Sequence, residues 1–283
     1  MANNFIQETV SKEILIAQKN ASVVRQFCAT QYEGDIQGVG TSVKINTLVP
    51  ATLKDTKTNP VNRQADSLDS THQLVKIEQD KNYKFEINNK DIAEGMPTGM
   101  FSETLTDMGR QIARDADKLV LSHYTEVPAE NIISDVELDK SNIYDKLIDV
   151  DVKMDEMEIP VEGRIMFLPP RLAGLLAKDE IIRQAREQDM PLGYVTKIGN
   201  LTIVKTNDVA IKTDKVTPSK QWFECLAGVA GKSFAHVNGF VENKVVESAF
   251  ITDGFKDVAM GEITSGAKLI MPQYTLLLEV KKA

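Results

Sequence analysis

Apolar side chains recur at Val10, Ile14, Ala17, Ala21 and Val24. Their spacing places them on one stripe of a helix within residues 5–27. Such a stripe suits a core-facing helix or an arm laid on a neighbouring subunit, and the pattern leaves both open. From Thr41 the period changes to two. Thr41–Val49 alternates apolar and polar residues, and Val75–Asn88 does so again with Tyr83, Phe85 and Ile87 on one face. Between them, Pro50–Gln73 is polar, mixed in charge and interrupted by Pro60. A loop of that length is unusual within a compact domain. Two strands flanking a polar tip predict a projecting hairpin arm, which cannot bury its own surface and gains order by lying on something else.

The longest helical pattern follows Met96–Phe101 and runs over Glu103–Tyr124. Leu105, Met108, Ile112, Ala116, Leu119 and Val120 form its apolar stripe, while Arg110, Arg114, Asp117 and Lys118 are assigned to the solvent face. Thr104 and Asp107 have capping-box spacing, and the helix should span about 30 Å at 1.5 Å per residue. A second block begins near Leu138. Ile143, Leu147, Val150, Met154 and Met157 lie at helical spacing behind a cap at Ser141 or Asn142. Arg164–Leu168 reads as a short buried strand stopped by Pro169-Pro170, with a helix starting at Pro170 or Arg171. Gly199-Asn200 turns a hairpin, Gln221–Val237 is strand-rich and broken by glycines, and Gly254–Val280 returns to strand patterns. The final stretch, GEITSGAKLIMPQYTLLLEV, is expected to be a hairpin of two strands with one covered face, turned at Pro272-Gln273. These elements make an α+β protein with an inserted lobe.

Charge and composition narrow the function. With 283 residues, 42% hydrophobic and 26% charged, the chain has enough material for a sizeable core. A net charge of −8 argues against a general nucleic-acid binder, which needs a basic stripe. No run of apolar residues is long enough to predict a transmembrane span, and the N-terminus carries no signal-peptide pattern. Cys28 and Cys225 are far apart, so no disulfide framework is expected and two partly buried thiols in a reducing cytoplasm are.

Motifs that carry chemistry are missing. His72, His123 and His236 have no histidine or cysteine near them at zinc-site spacing, and surface or cap roles are assigned to His72 and His123. Gly38–Val43 holds a G-x-G without a third glycine, and Gly231–Ser233 reads as a strand-edge turn rather than a phosphate loop. The acidic run Asp149–Glu158 lacks the glycine and terminal glutamate of a calcium loop and fits a helix. Accordingly, no catalytic, cofactor or metal site is assigned.

The order of elements does carry a signal. YEGDIQGVGTSVKINTL (Tyr32–Leu48), then Asp80–Tyr124, then Ile159–Glu180 with Ile198–Asp208, and finally the C-terminal SGAKLIMP stretch resemble, in that order, the major capsid proteins of tailed bacteriophages with the Hong Kong 97-type fold. The resemblance implies an α+β fold with an N-terminal arm (residues 1–30), an extended hairpin loop (31–88), a peripheral domain with a long spine helix (89–135 and 240–283) and an axial domain (136–239). It implies a non-enzymatic shell protein that assembles as hexamers and pentamers into an icosahedral head around double-stranded DNA. Expected partners are copies of itself, a separate scaffolding protein, a portal and a decoration protein, with no membrane and no sequence-specific DNA contact. The arm starts almost at Met1, which points to separate scaffolding or an already trimmed chain. Expected localisation is the virion capsid, after assembly in the bacterial cytoplasm. Lys54, Asp55, Lys57, Arg63 and Asp66 are the candidate inter-subunit contacts, mixed charges that set register between neighbours. An encapsulin-type nanocompartment shell protein resembles the same fold and is the first alternative. An enzyme with an unrecognised site is the second.

Overall fold

A computed structural model describes residues 16–17, 21–29, 42–48, 70–88, 98–176, 193–246 and 256–282. The hairpin arm is present at its base: β1 (Ser42–Leu48) pairs antiparallel with β2 (Ser70–Lys76), Ser42 opposite Lys76 and Leu48 opposite Ser70. The strand expected over Val75–Asn88 is two strands. It breaks at Ile77-Glu78, and β3 (Gln79–Asn88) leaves the arm to pair with β11 (Lys256–Leu269). Alternation continues through this break, so periodicity alone could not reveal it. β11 also pairs antiparallel with β10 (Phe234–Val246), giving a three-stranded sheet in the order β10-β11-β3.

Helix α1 runs over Thr98–Ser122, about 37 Å at 1.5 Å per residue, and packs on β10 and β11. It starts five residues before the expected Glu103, so Thr104 lies inside the helix rather than at its N-terminus. Leu105, Ala116, Leu119 and Val120 are buried as the stripe predicts, with Met108 and Ile112 half-buried. Asp117 departs from its expected solvent face and is 1% exposed.

The remaining elements form a seven-stranded sheet in the order β4-β12-β9-β5-β7-β6, with β8 paired to β9. Its strands are β4 (Ile132–Val136), β5 (Arg164–Leu168), β6 (Tyr194–Ile198), β7 (Leu201–Lys205), β8 (Ala210–Thr213), β9 (Gln221–Val229) and β12 (Leu276–Lys281). All five residues of β5 are buried, as a continuous apolar run covered on both faces must be. Phe167 meets Phe27 and Phe234 edge to face, at ring centroid distances of 6.1 and 5.9 Å. Each such ring contributes about 1.5–3 kcal/mol by burial. Helices α2 (Ile143–Glu156) and α3 (Pro170–Leu176) pack on each other, and α2 lies against β6 and β12. Neither Ser141 nor Asn142 caps α2 with its side chain. Instead Asp139 accepts from the Ser141 and Asn142 backbone N–H groups at 2.8 and 3.0 Å and closes the turn before it.

The C-terminal hairpin expectation is corrected. A 3-10 turn at Pro272–Tyr274 does end β11, but β12 enters the other sheet, antiparallel to β9 and parallel to β4. Leu276–Val280 are all buried there. Five consecutive buried residues suit a strand paired on both edges, as β12 is by β4 and β9.

Candidate functional site

The root of the arm is where local sequence turns into a possible interface. Val75 is buried with Ala29, Ala235, Val237 and Ile270 in a cluster separate from the main core. Leu74 beside it is 43% exposed, so the strand alternates at the point where it leaves the molecule. Gln73 donates to the Ile270 carbonyl at 3.0 Å, and Lys268 donates to the Leu74 carbonyl at 3.3 Å. Past the break, the Glu78 N–H donates to the Ser265 carbonyl at 3.0 Å. Gly266 is required at the crossing: a β-carbon there would lie 2.3 Å from the Lys76 carbonyl oxygen. Under the elbow, buried His123 at the end of α1 lies 3.0 Å from the Glu126 carboxylate and 3.6 Å from that of Glu78. Glu126 also accepts from the Leu269 N–H at 3.2 Å. Burial pushes the Glu126 carboxyl up, but the His123 contacts and the Leu269 N–H outweigh it and hold it low. His123 is thus at a helix end, as expected, and buried rather than superficial.

The phage capsid protein family model matches residues 75–263, from this root through α1 and most of both sheets. The chain belongs to that family. Solved structures agree on the fold. A solved structure from Mycobacterium phage Che8 superposes with a TM-score of 0.66 at 17% identity, covering 91% of this chain and 90% of that one. The capsid of Ralstonia phage GP4 gives 0.68 at 10% identity, with 93% and 90% covered. An encapsulin complex from Synechococcus elongatus gives 0.55 at 8% identity, with 87% and 82% covered. No curated protein matches in sequence. The protein is therefore a bacteriophage major capsid protein of the Hong Kong 97-type fold, a structural component of the viral capsid.

Within this capsid protein the N-terminal segment has a defined seat. Asp117 on α1 accepts hydrogen bonds from the Ser22 hydroxyl and from the Val23 N–H, the latter at 2.8 Å. Burial pushes its carboxyl above the usual range, against the pull of these donors. Val24, the last member of the N-terminal stripe, is fully buried, and the Ala29 N–H donates to the Phe234 carbonyl at 2.8 Å. Asp117 looked like a solvent-face residue because its partners lie almost a hundred positions away. No local signal could have found it.

The acidic run also has a structural task. Arg164 on β5 is 1% exposed and reaches Asp151 and Asp155 of α2, each at 2.7 Å. Its guanidinium also donates to the Pro160 and Ile159 carbonyls. The second oxygen of Asp151 accepts from the Asn200 N–H at 3.0 Å, which pins the Gly199-Asn200 turn. Ser233 in the expected strand-edge turn donates to the Tyr274 carbonyl and accepts from the Val229 N–H. His236 is fully buried and burial pushes its imidazole down to about 3, with Arg25 adding to the shift, so it is neutral. Cys28 and Cys225 are both buried thiols outside any disulfide, more enclosed than expected. Among the described residues no group of His, Cys, Asp and Glu is arranged to hold a metal ion, and no helix is long and apolar enough to cross a membrane. Lys54, Asp55, Lys57, Arg63 and Asp66 lie outside the described residues, as do Val10 and Ile14 of the N-terminal stripe. His72 falls in β2, where its side chain is not described.

Proposed function

We propose that this capsid protein forms the icosahedral head of a tailed phage, assembling as hexamers and pentamers around double-stranded DNA in the bacterial cytoplasm. The observation that carries this reading is the family match across residues 75–263, joined to an arm whose described strands enter neither larger sheet. In the described residues β1 and β2 pair only with each other, and an isolated two-stranded hairpin is marginal in water. A neighbouring subunit supplies the missing cover, with Lys54, Asp55, Lys57, Arg63 and Asp66 setting register through charge. Many modest contacts then add up around a closed shell.

In this reading the three-stranded sheet with α1 is the peripheral domain and the seven-stranded sheet is the axial domain. A separate scaffolding protein guides assembly, a portal occupies one vertex, and a decoration protein binds the finished shell. A nanocompartment is the second reading, favoured by the encapsulin likeness, whose TM-score is below those of the phage capsids. Microscopy of particles made by co-expressing the chain with its neighbouring genes distinguishes the two. DNA-filled heads with a portal support the phage head, and shells loaded with an enzyme support the compartment.

A further inference from the structure

A second buried feature lies in the seven-stranded sheet, away from the arm. There β9 runs between β8 and β12. In register, Glu224 of β9 sits opposite Glu279 of β12 on one side and Ala210 of β8 on the other. Lys212, two residues along β8 and so on the same sheet face, donates to the Glu279 carboxylate. Glu224 is fully buried, and neither of its carboxyl oxygens has a hydrogen-bond partner. Like charges directly opposed on adjacent strands repel. A buried carboxylate without a donor is strongly disfavoured. Lys212 brings one positive charge against two carboxylates, and its ammonium is engaged by Glu279. The arrangement is relieved when one of the two carboxyls is protonated.

We propose that Glu224, buried beside the Glu279 carboxylate, holds a proton as a pH-sensitive clamp on β8, and that losing this proton loosens the β8–β9 hairpin. The hairpin is built to move. β8 has four residues and pairs with β9 alone among the described strands. The tip beyond it carries Val216, 89% exposed. Protons have access, because Lys212 and Glu279 line an open cavity of about 290 Å³ together with Asp135, Asp214, Lys220 and Trp222.

The groups facing Glu224 are Glu279 from β12, Lys212 from β8 and the Tyr124 phenol from the turn after α1. Burial, and then the charge of Glu279, push Glu224 up to about 7 against the pull of Lys212. Tyr124 is also raised, by burial first and then by the charge of Glu224. Between its ordinary value of 4.5 and about 7, Glu224 is protonated in the folded chain and ionised in the unfolded one. The folded state then binds the extra proton, so the stabilisation is complete below the lower value and is lost as the pH rises to the upper one.

The chain's one tryptophan reports on this site. Trp222 lies two residues from Glu224 on the same face of β9, opposite Lys212 and Lys281, and its ring N–H donates to Asp135 at 3.1 Å. Its fluorescence should be followed in the unassembled full-length chain from pH 5 to 9. Wild type should show one transition with a midpoint near 7. Glu224→Gln should remain folded by circular dichroism and lose the transition. Glu279→Gln should free Lys212 for Glu224 and lower the midpoint by about 1–3 units, the usual effect of an opposite charge. A flat wild-type signal overturns the proposal, as does an unchanged transition in Glu224→Gln. Should Glu224→Gln fail to fold, an unmoved midpoint in Glu279→Gln overturns it equally.

Discussion

The seven-stranded sheet and the arm are both built from strands, and they solve opposite problems. In the sheet, β5 and β12 bury every residue from Arg164 to Leu168 and from Leu276 to Val280, and each has a strand on both edges. Its buried Arg164 is matched internally by Asp151 and Asp155. The described arm strands pair only with one another, and their root is held by five small or medium apolar residues and a few hydrogen bonds. One region completes itself. In the assembly proposed above, the other is finished by its neighbour, as a shell subunit needs at its border.

Breaking the self-sufficient region should be the most damaging change. Removing residues 276–283 takes β12 from between β4 and β9 and exposes both. The shortened chain should be insoluble or unfolded by circular dichroism; a soluble, cooperatively melting product would show that β12 is dispensable. Arg164→Ala should be next. It leaves Asp151 buried without its cation, a loss of about 3–5 kcal/mol in urea unfolding. A cost below about 1 kcal/mol would mean that the clamp is not part of the core. Gly266→Ala should be milder and should act on the arm. Its methyl collides with the Lys76 carbonyl, so the root must shift, at about 1–3 kcal/mol. Hydrogen exchange should quicken at Gln73–Glu78 while β5 stays protected, and uniform loss of protection would place the effect in the core instead.

How much of this was legible in the sequence follows the same division. Elements set by neighbouring residues were readable: the Arg164–Leu168 strand, the Pro170 helix start, the Gly199-Asn200 hairpin and the α1 stripe each announce themselves through period, turn chemistry or proline. Choices made between distant segments were not. Nothing local distinguishes a strand that pairs with β11 from one that pairs with β9, so β12 was assigned to the wrong sheet. Asp117 was read as exposed because Ser22 and Val23 cannot be seen from α1. β4 and β8 passed unnoticed because they are short and partly polar, and pairing to β12 and β9 is what makes them strands. The arm's existence was visible as polar sequence between two alternating segments. Its elbow at Ile77-Glu78 was not, since alternation runs through it.

The smallest expected effect on the subunit, and the largest on the shell, comes from shortening the arm. Replacing residues 49–69, between β1 and β2, by a short Gly-Ser turn should leave the melting temperature within about 3 °C of wild type, because no described core residue lies there. Electron microscopy of wild type and this variant, each co-expressed with the scaffolding partner, tests the account most directly. Wild type should yield closed shells, and the folded variant only free subunits or open fragments. Closed shells from the arm-shortened chain would contradict the claim that the arm is completed by its neighbour.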